Sequence, residues 1–182
     1  MMSFRVIPVI EKPLVFVGMM GVGKSVIGRG VAERLKLEFA DADEEIEAAA
    51  GCSIPEIFER HGEDAFRDGE RRVILRLLDK PAKVIATGGG AFMNTETRIA
   101  IKERAISVWL NADLDTLWQR VCWRGDRPML KTIDPKATLQ QLIEERSPTY
   151  AEADVMVEST DGPRDATIDR VIYALETYAI YE

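Results

Sequence analysis

The chain has 182 residues, enough for one domain with a substantial buried core. Its apolar fraction of 46% and charged fraction of 30% are ordinary for a globular protein and exclude an intrinsically disordered chain. The net charge of −7 argues against a nucleic-acid-binding surface, and no apolar run is long enough to span a membrane. We therefore expect a cytoplasmic protein without nucleic-acid or membrane partners, whose two cysteines are free thiols.

The first motif follows a short N-terminal arm. Residues 1–12 are predicted to form this arm, and residues 13–182 are predicted to form a single domain. The apolar run Leu14–Val17 leads directly into Gly18–Ser25, which has the spacing G-x-x-x-x-G-K-S, and a helical pattern begins immediately afterwards at Val26. This order of strand, glycine-rich loop and helix predicts a P-loop, which binds nucleotide phosphates.

A P-loop predicts a role for each residue near its end. Its glycines let backbone N–H groups turn toward phosphate oxygens, and the N-terminal end of the next helix adds partial positive charge. Lys24 is expected to reach the β- and γ-phosphates of a nucleoside triphosphate, and the Ser25 hydroxyl is expected to bind Mg²⁺. The predicted nucleotide contacts are Gly21, Val22, Gly23, Lys24, Ser25 and Val26.

Short apolar runs alternate with helical patterns along most of the chain. This alternation predicts an α/β fold with a parallel sheet whose strands are covered on both faces. The strand candidates are Leu14–Val17, Leu37–Asp41, Val84–Thr87, Ile106–Leu110 and Val155–Val157. The helical patterns are Val26–Lys36, Glu63–Leu78, Leu114–Trp123, Leu139–Glu145 and Ala166–Tyr178.

Two aspartates stand at the end of the second strand candidate. Ligands of open α/β sheets bind beyond the carboxyl ends of the strands, so Asp41 and Asp43 are well placed. On an extended chain, side chains two residues apart point the same way, and we expect both carboxylates to face the ligand. Asp41 would bind Mg²⁺ or its water shell, and Asp43 would accept a proton or hydrogen bond from a substrate hydroxyl. The alternative is that Asp41 only caps the following helix.

Residues 41–78 contain helical patterns without an intervening strand, which predicts a lobe beside the sheet. Within this segment, Arg67 and Glu70 are three residues apart on a helix and close enough to pair. A guanidinium held by a carboxylate is oriented to bind a substrate carboxylate with two hydrogen bonds. A solvent-exposed ion pair without function is the alternative. His61, the only histidine, is expected to be a loop residue and not a catalyst.

Three glycines, Gly88, Gly89 and Gly90, follow the third strand candidate. Without side chains, they let backbone N–H groups approach a ligand closely. A flexible turn at the end of a strand is the alternative.

The segment 120–135 is rich in Arg, Gly, Pro and Asp, and it is predicted to be a mobile loop. Arg120, Arg124 and Arg127 lie within it, and Arg146 follows further along the chain. Arginines on a loop that closes over a nucleotide would neutralise charge on the transferring phosphoryl group. Solvated arginines on an exposed loop are the alternative.

In combination, these motifs resemble the shikimate kinase family from about Pro13 to beyond the last strand candidate. The matching segments are GMMGVGKS, DAD, IFERHGEDAFRDGE, TGGGA, an arginine pattern ending in RPML, and EERSPTY. The resemblance implies a three-layer α/β/α fold with a five-stranded parallel sheet, of the P-loop NTPase, nucleoside monophosphate kinase-like type. It also implies a substrate-binding lobe at about residues 41–78 and a lid at about residues 120–135.

The resemblance further implies an activity. The γ-phosphoryl group of ATP would be transferred to the 3-hydroxyl of shikimate with the help of Mg²⁺, and the protein would be a monomer. Asp43 would hydrogen-bond to the reacting hydroxyl and act as its base, while Lys24 and Arg127 would be catalytic cations. Ser25 and Asp41 would serve Mg²⁺.

The remaining implied roles concern binding. Arg67 and Arg146 would hold the shikimate carboxylate, with Glu70 orienting Arg67. Arg120 would flank adenine, and Pro163 would belong to the loop on the adenine side. Backbone contacts to the substrate would come from Gly88, Gly89 and Gly90.

Two other functions stay open at this point. A sugar-acid kinase such as gluconate kinase also needs a P-loop and a means of binding a carboxylate. A regulatory module that binds nucleotide without catalysis is disfavoured, because such a module would be expected to lose Lys24, Asp43 or Arg127.

Overall fold

The computed structural model describes residues 10–123 and 128–181, and a five-stranded parallel sheet lies at its centre. The strand order is β2-β3-β1-β4-β5, and every neighbouring pair is parallel. The predicted parallel sheet is confirmed, and each strand boundary lies within one residue of its prediction. The strands are β1 Leu14–Val17, β2 Glu38–Asp41, β3 Lys83–Ala86, β4 Ile106–Asn111 and β5 Val155–Glu158.

Helices cover both faces of the sheet, as a parallel sheet requires. Helix α1 packs against α7, and helix α3 packs against α4. With the sheet between helices, the three layers that were predicted are confirmed. The helices are α1 Lys24–Leu35, α2 Ala42–Ala50, α3 Ile54–Leu78, α4 Thr95–Arg104, α5 Leu114–Val121, α6 Pro135–Tyr150 and α7 Arg164–Tyr181.

The strands differ in how completely they are covered. All four residues of the central strand β1 are buried. Burial alternates along β5, where Met156 is exposed, and no residue of β2 is fully buried. The expectation that all five strands are covered on both faces is therefore wrong for these two strands, because both lie at the edges of the sheet.

Two helices depart from the sequence patterns. Helix α4 was not among the predicted helices, and it begins where the Asn94 side chain accepts a hydrogen bond from the Thr97 amide at 2.9 Å. Helix α6 extends beyond its predicted end at Glu145, and Pro148 lies inside it. The Ser147 hydroxyl donates to the Ile143 carbonyl at 2.6 Å, one turn earlier, and the helix continues to Tyr150.

The segment predicted as a lobe consists of α2 and α3, which follow β2 without an intervening strand. Helix α3 begins at a capping box formed by Ser53 and Glu56. It bends at Gly62, whose φ of 81° and ψ of 176° lie outside the helical region.

In the described part of the chain, no helix combines the length and apolar character needed to cross a membrane.

Candidate active site

The P-loop connects β1 to α1, and its shape depends on glycine. Gly18, Gly21 and Gly23 have φ values of 138°, 78° and 100°, in the region that other residues rarely adopt. A Cβ atom at Gly18 would collide with the Leu110 carbonyl oxygen, and one at Gly21 would lie 2.5 Å from a Val121 methyl group. Backbone conformation favours glycine at all three positions, and lack of space also requires it at Gly18 and Gly21.

Lys24 occupies the space that the loop encloses. Its side chain is only 8% exposed, and its ammonium donates to the carbonyls of Gly18 at 2.7 Å and Met19 at 2.8 Å. The charge is thus held at the centre of the predicted phosphate site.

Asp41 joins the P-loop to the lobe. It accepts a hydrogen bond from the Ser25 hydroxyl, and it caps α2 by accepting from the Asp43 amide at 2.9 Å. Asp41 is therefore a helix cap, but its contact with Ser25 gives it a second role. No group of three or more His, Cys, Asp or Glu side chains suited to a metal occurs among the described residues. A hydroxyl and one carboxylate are nevertheless the oxygen ligands with which Mg²⁺ binds beside substrate phosphates, so the pair fits that ion.

A cavity of about 420 Å³ opens beside the P-loop. All six predicted nucleotide contacts from Gly21 to Val26 line it, as does Arg120. Gly162 and Arg164 contribute to its wall, whereas Pro163 between them is exposed and does not line the cavity. Arg127, predicted here as a catalytic and nucleotide-binding residue, lies outside the described residues, as does Arg124.

Arg120 ties three segments together. Its guanidinium donates to the Val22 carbonyl at 3.1 Å in the P-loop, to the Ser159 hydroxyl at 3.2 Å and to the Thr160 carbonyl at 2.9 Å. It also pairs with Asp161 at 3.5 Å. The Ser159 hydroxyl in turn donates to the Val22 carbonyl at 2.9 Å. The segment after β5 is thus joined directly to the P-loop, a connection that the sequence patterns did not reveal.

A second cavity of about 540 Å³ lies next to the first, on the side of the lobe. The two cavities share four wall residues, Met20, Asp43, Gly88 and Gly89. The predicted substrate contacts Asp43, Arg67, Glu70, Gly88, Gly89, Gly90 and Arg146 all line the second cavity. The structure therefore brings together residues from four separate segments of the chain.

Asp43 reaches both cavities for a reason that differs from the prediction. The prediction assumed an extended chain, and that assumption is wrong, because α2 begins at Ala42 and Asp43 lies in its first turn. Asp41 ends β2 and lines only the second cavity. The position of Asp43 is set by the start of the helix and not by strand periodicity.

Arg67 and Glu70 form the predicted pair, with 2.8 Å between Arg67 Nη1 and Glu70 Oε2. Glu70 is only 3% exposed, which distinguishes the pair from a solvated surface ion pair. Burial raises the pKa of the Glu70 carboxyl, while the neighbouring Arg67 acts in the opposite direction. The other oxygen of Glu70, Oε1, is buried and has no hydrogen-bond partner among the described residues.

The glycines after β3 are the places where the backbone meets these side chains. A Cβ atom at Gly88 would lie 2.8 Å from Glu70 Oε1 and 3.2 Å from Asp43 Oδ1. One at Gly90 would lie 2.6 Å from Arg67 Nη1. The run of glycines is therefore a requirement of close approach and not only a flexible turn.

Tyr150 is a residue that the sequence interpretation missed. It lies one helical turn after Arg146 on α6, is 1% exposed, and donates from its hydroxyl to the Gly89 carbonyl. Its ring packs against Trp109 with 6.0 Å between ring centroids. Burial raises the pKa of the Tyr150 phenol to about 12. Its spacing of four residues from Arg146 was the signal that could have placed it on the same side of α6.

His61 is not in a loop as predicted, since it lies within α3. It lines neither of these two cavities.

The chain is similar to known proteins over most of its length. Residues 20–176 match the family model described as shikimate kinase. A shikimate kinase from Rhodopseudomonas palustris is 56% identical over 168 residues, which cover 92% of this chain and 83% of the relative.

Solved structures give a consistent result. A shikimate kinase from Acinetobacter baumannii in complex with shikimate superposes with a TM-score of 0.89 and 36% identity, covering 92% of this chain and 94% of the other. A gluconokinase from Sinorhizobium meliloti superposes with a TM-score of 0.67 but only 19% identity, covering 96% of this chain and 97% of the other, so it shares the fold alone. The chain belongs to the shikimate kinase family.

Proposed function

We propose that this chain transfers the γ-phosphoryl group of ATP to the 3-hydroxyl of shikimate, giving shikimate 3-phosphate and ADP. The observation that carries the proposal is the position of Asp43 in the wall shared by the two cavities. The P-loop lies on one side of this carboxylate, and Arg67 and Arg146 lie on the other. An acceptor held by its carboxylate at the arginines would present a hydroxyl to Asp43.

ATP binds with its phosphates in the P-loop. Backbone N–H groups at Gly21, Val22 and Gly23 and the N-terminal end of α1 donate to phosphate oxygens. Lys24 exchanges its two carbonyl acceptors for β- and γ-phosphate oxygens. Arg120 forms one side of the adenine pocket, since it already joins the P-loop to the segment after β5.

Shikimate binds in the cavity beside the lobe. Arg67 and Arg146 hold its carboxylate by charge-assisted hydrogen bonds, and Glu70 fixes the orientation of Arg67. The glycines at 88–90 offer backbone groups to the ring substituents. Tyr150 holds the Gly89 carbonyl, and this contact keeps the glycine turn at a fixed distance from Arg146.

The chemical step needs a proton acceptor and positive charge. Asp43 accepts the proton of the 3-hydroxyl as the oxygen forms a bond to the γ-phosphorus. The bond from that phosphorus to the bridging oxygen breaks, and ADP leaves with the electron pair. Lys24 stabilises the charge that develops on the transferring group, and Arg127 is assigned the same role from the family resemblance. Ser25 and Asp41 would hold Mg²⁺, which would supply further positive charge beside the phosphates.

The proposal gives two further segments a role. Residues 41–78 form the substrate-binding lobe, and residues 120–135 form a lid over the nucleotide. Exposed apolar side chains at Trp123 and Ile133 support the second assignment, because a lid would cover them on closing. Residues 1–12 remain an arm outside this scheme. We further propose a monomer in the cytoplasm, consistent with the free thiols of Cys52 and Cys122.

A coupled assay of ADP release tests the function. Purified protein with ATP and Mg²⁺ is offered shikimate, quinate and gluconate in parallel, and the phosphorylated product is identified by mass spectrometry. We expect turnover with shikimate and none with gluconate. Turnover of gluconate without turnover of shikimate would contradict the proposal, and ATP binding without turnover of any acceptor would favour a regulatory module.

A further inference from the structure

A third cavity, of about 470 Å³, lies on the lobe between α2 and α3, outside the proposed active site. We call it the α2–α3 groove. Its floor consists of the buried apolar side chains of Ile46, Ile57, Phe66 and Val73. It lies at the bend of α3 near Gly62, so that both halves of α3 and the facing helix α2 form its walls. Its volume is within the range of about 300 to 1,000 Å³ that is typical of small-molecule sites.

Two arginine side chains at the groove offer hydrogen-bond donors to a carboxylate. The exposed side chains of His61, Arg72 and Arg76 line its open side, and none of the residues that line it is Asp or Glu. Arg72 and Arg76 each bind a carboxylate outside the groove, Asp68 at 2.7 Å and Glu45 at 2.8 Å. A guanidinium has five N–H donors, so each arginine keeps donors for a further acceptor.

One wall of the groove is also a wall of the acceptor cavity. Phe66 lines both, and the guanidinium carbon of Arg67 lies 5.1 Å from the centroid of the Phe66 ring. A ligand seated on the groove side of this ring would press it toward the acceptor cavity. Because proteins are closely packed, such a shift narrows the space beside Arg67.

We propose that the α2–α3 groove binds a small carboxylate with an apolar ring, and that its binding weakens binding of the acceptor substrate. The ring would lie on the apolar floor, and the carboxylate would meet Arg72 and Arg76. Coupling is reciprocal, so the acceptor weakens binding of this ligand by the same factor.

Calorimetric titration with 3-phenylpropanoate tests the site, and 3-phenylpropanamide is the uncharged probe of matched shape. We expect saturable binding of the carboxylate, with the amide at least about tenfold weaker because it lacks the charge. Arg76→Gln should weaken binding of the carboxylate several-fold, toward the affinity of the amide. Arg104→Gln is the control, since Arg104 is an exposed arginine paired with Asp79 elsewhere. Absence of saturable binding would overturn the proposal.

A matched pair of alanines on α2 locates the bound probe. Ala49 lines the groove and its neighbour Ala48 does not, while both are exposed, so either tolerates a larger side chain. Ala49→Leu should abolish binding by filling the groove, and Ala48→Leu should leave it unchanged. Equal binding by the two variants would show that the probe occupies another site, such as the arginines of the acceptor cavity, and would overturn the proposal.

Kinetics tests the coupling separately. With the probe at saturation, we expect the KM for shikimate to rise threefold or more while the KM for ATP stays constant. The rise should disappear in Ala49→Leu. An unchanged KM for shikimate at saturation would show that Phe66 does not transmit the effect and would overturn the regulatory part of the proposal. The calorimetric result does not depend on the identity of the acceptor, so it stands apart from the kinase assignment.

Discussion

The donor and acceptor halves of the site are built in different ways. The donor half is one continuous loop, Gly18–Ser25, whose backbone makes the binding surface and whose glycines are packed against β4 and α5. The acceptor half consists of side chains that arrive from α2, α3 and α6 and meet the glycines after β3. A donor site of this kind depends on local conformation, whereas the acceptor site depends on the topology of the whole chain.

The difference predicts distinct consequences of substitution. Changes in the donor half act through backbone strain and should affect folding and ATP binding together. Changes in the acceptor half act through single charges or hydrogen bonds, and they should affect shikimate kinetics while ATP binding is preserved.

The largest effect is expected where the two halves meet. Asp43→Asn removes the proposed proton acceptor and keeps the shape of the side chain, so kcat should fall by about 10³-fold with little change in ATP affinity. Steady-state kinetics and nucleotide titration measure the two quantities. Glu59→Gln, at an exposed position on the same lobe, is the control. Near-normal kcat in Asp43→Asn would remove this residue from the mechanism.

Arg67→Ala should have the next largest effect. It removes one charge from the proposed carboxylate contact, and we expect the KM for shikimate to rise by about 50-fold or more while the KM for ATP is nearly unchanged. Arg60→Ala on the same helix is the matched control, because Arg60 forms an exposed pair with Glu56. A comparable rise in the KM for ATP would argue that Arg67 acts on both halves.

Gly18→Ala tests the donor half. Its φ of 138° and the nearby Leu110 carbonyl leave no room for a methyl group. We expect the free energy of unfolding to fall by about 2 kcal/mol and the KM for ATP to rise several-fold. Gly69→Ala is the control, since a Cβ there meets no atom within 4 Å and alanine favours a helix. Urea denaturation and kinetics that show no change in Gly18→Ala would contradict the strain argument.

A smaller effect is expected at Tyr150. Tyr150→Phe keeps the buried ring and removes only the hydrogen bond to the Gly89 carbonyl. Since such a bond contributes about 0.5–1.5 kcal/mol, the KM for shikimate should rise by roughly two- to tenfold. Tyr173→Phe, at an exposed tyrosine on α7, is the control. A fall in kcat and a rise in both KM values would indicate a general loss of packing instead.

The smallest effect concerns pH. Burial raises the pKa of Glu70 in the folded state above its usual 4.5, so the folded protein binds this proton more tightly than the unfolded chain does. The stabilising contribution of this proton is complete below the unfolded pKa and is lost as the pH rises through the folded pKa. The stability of Glu70→Gln relative to the parent should therefore increase from pH 4.5 upward. Urea denaturation at several pH values measures this difference in the free energy of unfolding. Glu59→Gln, at an exposed position, should show no such trend.

Much of the fold and site could be predicted because the signals were local. The P-loop is contiguous, and the strand boundaries follow from apolar runs. Helix α4 was missed because it depends on a cap at Asn94 and has few apolar residues. The extension of α6 past Glu145 was missed because Pro148 normally ends a helix.

The contacts of the acceptor half were the least predictable. The approach of Tyr150 to Gly89 and the link from Arg120 to Thr160 join positions far apart in the chain. Single-sequence patterns carry no information on such distances. The assignment of Asp43 was made from an extended geometry that the chain does not have, although the residue does line both cavities.

The contacts of Lys24 with the Gly18 and Met19 carbonyls have a consequence for how nucleotide arrives. The loop is already ordered around its own ammonium group, so its conformational entropy is lost when the chain folds and not when ATP binds. Nucleotide entry is then an exchange of hydrogen-bond acceptors at a preformed centre. Added ATP should raise the Tm only by the amount that mass action gives, without any additional ordering of residues 18–25 in hydrogen exchange.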